Sequence, residues 1–221
     1  MVIGYLTIGY RMKTNKDTLT LGAVMFDQYE LLDFYGPLQL FGGMRNELEI
    51  ITLAEREGTV TASSASQVQG YADCSFKDCP KLDIILVPGG FGTRAMAKDE
   101  GFLHWLRTKA EEAEIVASVC TGALLLACAG LLDGRRATTN KLCWEEITDY
   151  APEVNWIREA RWVDDGKFVT ASGVSAGIDM ALALIERIWG AEARERIRID
   201  AEYDWRSDPN WDPFAKIHGL V

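Results

Sequence analysis

Short apolar runs alternate with amphipathic segments along most of the chain. The apolar runs predict buried strands at 19–26, 48–53, 82–87 and 114–119. The segments with apolar residues at helical spacing predict helices, among them 31–41, 99–113, 141–150 and 178–189. This alternation of strands with helices predicts one doubly wound α/β domain with a mostly parallel central sheet.

Three segments depart from the alternation. In 160–171, the Asp165-Gly166 pair between two apolar runs predicts a late antiparallel β-hairpin. Residues 1–18 are expected to form an extension ahead of a single domain at 19–221, because 11–18 is polar and lacks a period. The aromatic stretch 203–214 predicts an extended arm that docks on its own subunit or on a partner.

A reactive side chain lies where the strand predicted at 114–119 meets the helix predicted at 122–129. Only Cys120 and Thr121 separate the two elements. Such a tight turn lifts its side chain out of the sheet and aims helix N–H groups at the same point. We therefore expect Cys120 to be a nucleophile with a lowered pKa.

Two further features follow predicted strands and are expected near Cys120. Asp33 comes shortly after the first strand, just before the main helix, and Gly89 and Gly90 follow the strand at 82–87. The carboxyl ends of parallel strands converge on one crevice, where α/β sheets place their sites. Asp33 is either a capping or turn residue or a carboxyl of that site.

Composition narrows the function classes. The net charge of −10 and the pI of about 4.8 argue against nucleic-acid and membrane surfaces as partners. The N-terminus is a poor signal peptide and no apolar run is long enough to span a membrane, so we expect a cytoplasmic protein. Two histidines limit metal sites, and neither a metal nor a cofactor is expected.

Five motifs in order resemble the ThiJ/PfpI superfamily, a branch of the class I glutamine amidotransferase-like fold. The resemblance covers roughly residues 19–213 and implies a flavodoxin-like sheet. Within the superfamily the chain is most similar to the isocyanide hydratases, through Asp33 in the first motif and Ser-Val-Cys-Thr-Gly around Cys120. The five motifs are residues 32–37, 83–90, 118–124, 134–139 and 173–179.

This resemblance implies an enzyme that converts an isocyanide to an N-formamide. Cys120 would attack the isocyanide carbon to give a thioimidate, while Asp33 would bond the sulfur, manage the proton and help activate water. Thr121 would position water or substrate. The substrate or its developing charge would be held by Gly89, Gly90 and Asn140. The resemblance also implies a homodimer.

Asn140 departs from the superfamily pattern, which commonly has histidine at this position. Amidases and peptidases use a histidine to activate cysteine and to protonate the leaving amine, and asparagine can do neither. Neither His104 nor His218 matches a catalytic motif position. Hydration of a small electrophile needs no amine leaving group in its first step, so a Cys–Asp pair fits it better than amide cleavage.

Two other functions stay open at this stage. One is a glyoxalase-like or other small-carbonyl enzyme of the same superfamily. The other is a non-catalytic redox- or ligand-sensing domain that uses Cys120, similar to regulators that fuse this domain to a helix-turn-helix module. Turnover of isocyanide and of methylglyoxal separates these alternatives.

Overall fold

The computed structural model describes residues 18–63 and 67–221. Except for its last residue, the predicted N-terminal extension lies outside them. The strands of the described residues are β1 (Leu19–Val24), β2 (Leu48–Ala54), β3 (Gly58–Thr61), β4 (Gln69–Ala72), β5 (Cys74–Ser75), β6 (Ile84–Val87), β7 (Ile115–Val119), β8 (Arg136–Ala137), β9 (Asn155–Trp156), β10 (Trp162–Asp165) and β11 (Phe168–Ala171).

Seven of these strands form the central sheet, in the order β10-β11-β7-β6-β1-β2-β5. All neighbours pair in parallel except β10 and β11, which form the hairpin predicted around Asp165-Gly166. The core order β2-β1-β6-β7-β11 follows the flavodoxin pattern, in which the chain leaves the first strand in one direction and later continues in the other. The predicted fold class is confirmed.

The central strands are buried on both faces. Every residue of β6 and of β7 is buried, as expected of parallel strands covered by helices on each side. Leu21 and Gly22 of β1 register with residues of both β2 and β6, so β1 lies inside the sheet between these two strands. The carboxyl ends of β1, β6 and β7 therefore open onto one edge.

The predicted helices are present, and two further short helices, at Thr93–Met96 and Pro213–Ile217, are not predicted from the sequence. The helices of the described residues are α1 (Leu31–Phe41), α2 (Thr93–Met96), α3 (Glu100–Glu112), α4 (Gly122–Cys128), α5 (Trp144–Tyr150), α6 (Ala176–Trp189), α7 (Ala191–Asp200) and α8 (Pro213–Ile217), with a 3₁₀ turn at Gly42–Met44. Right-handed crossovers put α1 and α3 on opposite faces of the sheet, because their strands advance in opposite directions. None of these helices is long and apolar enough to span a membrane.

Two predicted details differ from the structure. Asp33 lies inside the first turn of α1 rather than before it, because the helix already starts at Leu31 after an extended Glu30. Pro37 therefore lies inside the helix, where it has no N–H to donate to the Asp33 carbonyl one turn earlier. The segment 141–150 becomes helical only at Trp144, since Asn140 to Cys143 form a loop at the sheet edge.

The C-terminal arm is anchored on its own subunit by one buried carboxylate. Asp179 of α6 accepts hydrogen bonds from the Tyr203 hydroxyl (3.0 Å) and from the Arg206 N–H (3.0 Å). The Trp205 indole donates to the Asp179 carbonyl at 3.1 Å. On the other side, the Arg161 Nε donates to the same carboxylate at 2.6 Å. The arm then ends in α8.

Candidate active site

Cys120 occupies a strained turn between β7 and α4. Its φ of 58° is in the left-handed region, which a non-glycine residue adopts only when its surroundings fix it. The Cys120 N–H donates to the Ala171 and Ser172 carbonyls at the end of β11 (3.1 and 3.0 Å), and Thr139 Oγ1 donates to the Cys120 carbonyl at 2.9 Å. Both backbone polar groups are thereby held, and the thiol is aimed at the sheet edge.

Gly89 allows the loop after β6 to approach this turn. A Cβ at Gly89 would lie 2.6 Å from the Thr121 nitrogen and 2.8 Å from Asp33 Oδ2, which is closer than real atoms pack. The missing side chain leaves room for the Gly89 N–H to donate to Asp33 Oδ2 at 2.9 Å. The predicted strand-end residues Asp33, Gly89 and Cys120 thus lie together.

The Asp33 carboxyl is fully buried and only partly satisfied. Its Oδ2 accepts from Gly89, whereas Oδ1 receives no N–H or O–H from the described residues. Burial raises the pKa of Asp33 well above its ordinary range, and the Glu30 carboxylate adds to the rise. The Gly89 N–H and the neighbouring Cys120 thiol act in the opposite direction. Asp33 is therefore able to hold a proton beside the sulfur.

The pKa of the Cys120 thiol is raised, and the predicted lowering is wrong in direction. Burial is the main cause, and the adjacent Asp33 charge adds to it. The Thr121 N–H and the Asn140 side chain do stabilise the thiolate as expected of a helix N-terminus, but burial outweighs them. Cys120 and Asp33 consequently titrate as a coupled pair that retains protons.

Asn140 donates directly to the sulfur. Its Nδ2 lies 3.1 Å from Cys120 Sγ, and its Oδ1 accepts the Cys143 N–H at 3.0 Å. The Cys143 bond sets which end of the amide faces the thiol, because a backbone N–H needs an acceptor. Asn140 is thus a fixed donor that does not ionise at the place where the superfamily pattern has histidine.

Thr121 and Gly90 bond to each other. The Gly90 N–H donates to Thr121 Oγ1 at 3.0 Å, and Thr93 Oγ1 donates to the same oxygen at 3.2 Å. A substrate would have to compete with these bonds for the Gly90 N–H or for the Thr121 hydroxyl. Their predicted roles in holding charge, water or substrate stay predictions.

Lys141 and Arg94 support the site, and both were missed by sequence reasoning. Lys141 is buried, and its Nζ donates to Thr138 Oγ1 (2.7 Å) and to the Ala160 carbonyl (2.8 Å). Burial lowers the pKa of Lys141 to about 8. Arg94 joins the Gly90 carbonyl (3.2 Å) to the Glu146 carboxylate (2.6 Å), so it connects the loop after β6 to α5. No sequence motif marks either residue.

A cavity of about 220 Å³ is lined by Asn140, the residue whose side chain donates to the Cys120 sulfur. Asn140 and Ser172 both line it and both bond to Cys120. Phe214 and His218 from the C-terminal helix line it as well. His218, which matches no catalytic motif position, thus lies at the cavity all the same.

A larger cavity of about 680 Å³ lies over the ends of β1 and β2. It is lined partly by the aromatic side chains of Phe76, Phe102 and Trp105. None of the predicted site residues lines it. The smaller cavity is the one connected to the candidate site, since two of its lining residues, Asn140 and Ser172, bond to Cys120.

Comparison with known proteins places the chain in a family. The sequence model of the DJ-1/PfpI family matches residues 22–187, a segment that contains Asp33, Cys120 and Asn140. The chain belongs to the DJ-1/PfpI family. The match ends before the arm and α8.

The relatives of this DJ-1/PfpI protein include enzymes and regulators. The isonitrile hydratase of Pseudomonas putida is 36% identical over 186 residues, which are 84% of this chain and 78% of the relative. The HTH-type transcriptional regulator GbdR of Pseudomonas aeruginosa is 29% identical over 80% of this chain, which spans 49% of the regulator. Similarity to both classes means that family membership alone does not decide the activity.

Solved structures agree with the fold. A ThiJ/PfpI family protein from Pseudomonas syringae superposes with a TM-score of 0.77 at 26% identity, covering 93% of this chain and 82% of that one. DJ-1beta of Drosophila melanogaster gives a TM-score of 0.76 at 18% identity and covers 85% of this chain. The second likeness shows the shared architecture only.

Proposed function

We propose that the protein is an isonitrile (isocyanide) hydratase that acts through a Cys120 thioimidate. The observation that carries the proposal is the surroundings of the sulfur. Asp33 is a carboxyl whose raised pKa favours its protonated form, and the Asn140 side chain is a neutral amide donor 3.1 Å from the sulfur. The 36% identity to an isonitrile hydratase supports it at the level of the whole chain. The similarity to the isonitrile hydratase and the geometry around the sulfur thus favour the same reaction.

The first step joins sulfur to carbon. The Cys120 sulfur forms a bond to the terminal carbon of R–N≡C, and the thiol proton passes by way of the Asp33 carboxyl to that same carbon. The product is the thioimidate R–N=CH–S–Cys120. Because the unpartnered Asp33 Oδ1 lies in a water-poor site, it can accept and return a proton beside the sulfur. This arrangement compensates for a thiol whose pKa is high.

The second step consumes water. Water adds across the C=N bond, with oxygen bound to carbon and a proton to nitrogen, so that R–NH–CH(OH)–S–Cys120 forms. The C–S bond then breaks, the hydroxyl proton returns to sulfur through Asp33, and the formamide R–NH–CHO leaves. The sum is one isocyanide plus one water. The nitrogen stays in the product, so no imidazole is needed to expel an amine.

The other site residues act by position. Asn140 stabilises negative charge on the sulfur without carrying a proton of its own. The Thr121 N–H adds a second donor to the sulfur. Gly89 orients Asp33 through its N–H, and Thr121 with Gly90 fixes the loop around it.

A turnover assay with p-nitrophenyl isocyanide tests this function. We expect the wild type to form the formamide and Cys120→Ala to lose at least about 10³-fold in kcat/KM, because the nucleophile is absent. Cys128→Ala is the matched control, since Cys128 is another free thiol and lies on α4. Full activity of Cys120→Ala would exclude the covalent mechanism.

A sensing role is the second candidate, and the similarity to the regulator GbdR favours it. In that case Cys120 would be oxidised or a ligand would bind without turnover. A protein that turns over neither isocyanide nor methylglyoxal, but whose Cys120 is oxidised selectively, would support sensing over either enzymatic function.

We further infer a cytoplasmic homodimer, in keeping with the resemblance to the superfamily. Tyr35 on α1 is 43% exposed and is a candidate subunit contact. Light scattering in solution measures the assembly mass, and a monomer at assay concentrations would contradict this inference.

A further inference from the structure

The cavity beside Cys120 is shaped for a small apolar group. Its walls include the apolar side chains of Leu32, Leu142, Val174 and Phe214, while Asn140 and His218 supply polar atoms. A cavity of about 150 Å³ is enough to hold benzene, so about 220 Å³ has room for one aryl or small cycloalkyl group. The reactive carbon of a bound isocyanide would then lie at the Asn140 end, because Asn140 contacts the sulfur.

Phe214 reaches this cavity from a helix outside the segment that the family model matches. The family match ends at 187, whereas α8 spans Pro213–Ile217. Phe214 is 44% exposed, so one side of its ring faces solvent. It therefore forms part of the cavity's outer wall.

The helix that carries Phe214 is firmly held. Asp212 caps it, with Oδ1 accepting the Phe214 N–H at 3.1 Å, and the same carboxylate lies 3.8 Å from Arg161 Nη1. Asp212 and Ala215 are both buried. Arg161 in turn bonds Asp179, the residue that anchors the arm. These buried contacts fix the backbone at Phe214, and so they fix the place from which its side chain reaches the cavity.

We propose that Phe214 sets the size of the isonitrile substituent that the enzyme accepts. Small aryl and cycloalkyl groups fit against the ring, and bulky polycyclic groups collide with it. This specificity role deepens the proposed function and rests on it. It also predicts that the C-terminal helix, rather than the part of the chain that the family shares, tunes substrate choice.

The test compares Phe214→Ala and Phe214→Trp with Ile217→Ala. Ile217 lies on the same helix, is 67% exposed and does not line the cavity. The substrates are cyclohexyl, p-nitrophenyl and 1-adamantyl isocyanide. We expect Phe214→Ala to raise kcat/KM for the adamantyl compound relative to the cyclohexyl compound by about 10-fold or more. We expect Phe214→Trp to lower kcat/KM for p-nitrophenyl isocyanide by a similar factor. Ile217→Ala should leave the ratios as in the wild type.

A second readout does not depend on turnover. The rate at which Cys120 is alkylated by a bulky pyrene maleimide, divided by its rate with iodoacetamide, should rise in Phe214→Ala and stay unchanged in Ile217→Ala. If the wild type hydrates no isocyanide, the proposed function fails while the alkylation ratio still tests the wall. Equal ratios in Phe214→Ala, Ile217→Ala and wild type would overturn the inference, and so would a changed assembly mass with unchanged size selectivity.

Discussion

Cys120 and Asp33 are both buried at the same edge of the sheet, and the reactivity of the site depends on their protonation. Burial raises the pKa of both groups. The Asp33 charge raises the pKa of Cys120 further, whereas the Cys120 thiol lowers the pKa of Asp33. A thiol that keeps its proton is a weak nucleophile in the resting state, so attack has to be coupled to proton transfer. Asp33 is the carboxyl whose charge raises the pKa of the Cys120 thiol.

Replacing Asp33 by Asn should separate thiol reactivity from catalysis. The Asp33 charge is a cause of the raised Cys120 pKa, so its removal lowers that pKa and increases the thiolate fraction at pH 7 to 8. We expect iodoacetamide to alkylate Cys120 about 3- to 10-fold faster at neutral pH, while hydration falls by about 10²-fold because the proton relay is lost.

The pH dependence of alkylation measures this directly. The alkylation rate rises as the thiol loses its proton, so its midpoint should move to lower pH in Asp33→Asn than in wild type. Asp27→Asn, an exposed carboxylate at the sheet edge, is the control and should leave the midpoint unchanged. A midpoint that stays in place or moves up in Asp33→Asn would show that Asp33 does not act on the thiol.

At single residues, the sequence identified the candidates but not their bonds. The types and strand-end positions of Cys120, Asp33 and Gly89 bring them together as expected. The pKa direction depends on burial by distant segments, which the local helix-terminus argument omits. The pairing of Gly90 with Thr121 and the Cys143 contact that orients Asn140 depend on side-chain geometry, which no motif encodes.

At the scale of elements, the strand-to-helix turn and the C-terminal arm have different origins. The turn at Cys120 is readable from a continuous apolar strand followed at once by an Ala- and Leu-rich helix. The two-residue strand β5 is not predicted, because so short an edge strand has no periodicity. The arm was recognised from its aromatic content, but its anchor, Asp179, lies in α6 and had no sequence signal for that role.

Asp179 should contribute strongly to the stability of the protein, because it anchors the C-terminal arm. It is fully buried and accepts hydrogen bonds from Arg161, Tyr203 and Arg206. Asp179→Asn leaves the buried Arg161 guanidinium with the Asp212 carboxylate, 3.8 Å away, as its remaining counter-charge, which costs about 3–5 kcal/mol. For a chain of this size that lowers Tm by roughly 10 °C, as thermal unfolding followed by circular dichroism would show.

A surface ion pair supplies the comparison. Asp164 bonds Arg187 at 2.9 Å but is 42% exposed, so Asp164→Asn should cost less than about 1 kcal/mol. If the Tm of Asp179→Asn equalled that of Asp164→Asn and of the wild type, the arm would be held by its aromatic contacts rather than by the Asp179 carboxylate.

At the scale of the whole molecule, the fold is the best-predicted property. The alternation of buried strands with amphipathic helices leads to a parallel sheet, and chain connectivity then places three strand ends at one edge. The same architecture serves an isonitrile hydratase and an HTH-type regulator among the relatives. Function therefore rests on the surroundings of one sulfur and on the cavity next to it, not on the fold.

The central claim is that Cys120 adds to the whole isocyanide before water enters. Mass spectrometry of protein mixed with p-nitrophenyl isocyanide and quenched in acid within milliseconds tests this most directly. We predict a gain equal to one intact isocyanide molecule, located on the peptide that contains Cys120, in wild type and Cys128→Ala but not in Cys120→Ala. Formamide production without this adduct, or with the adduct on another cysteine, would contradict the mechanism.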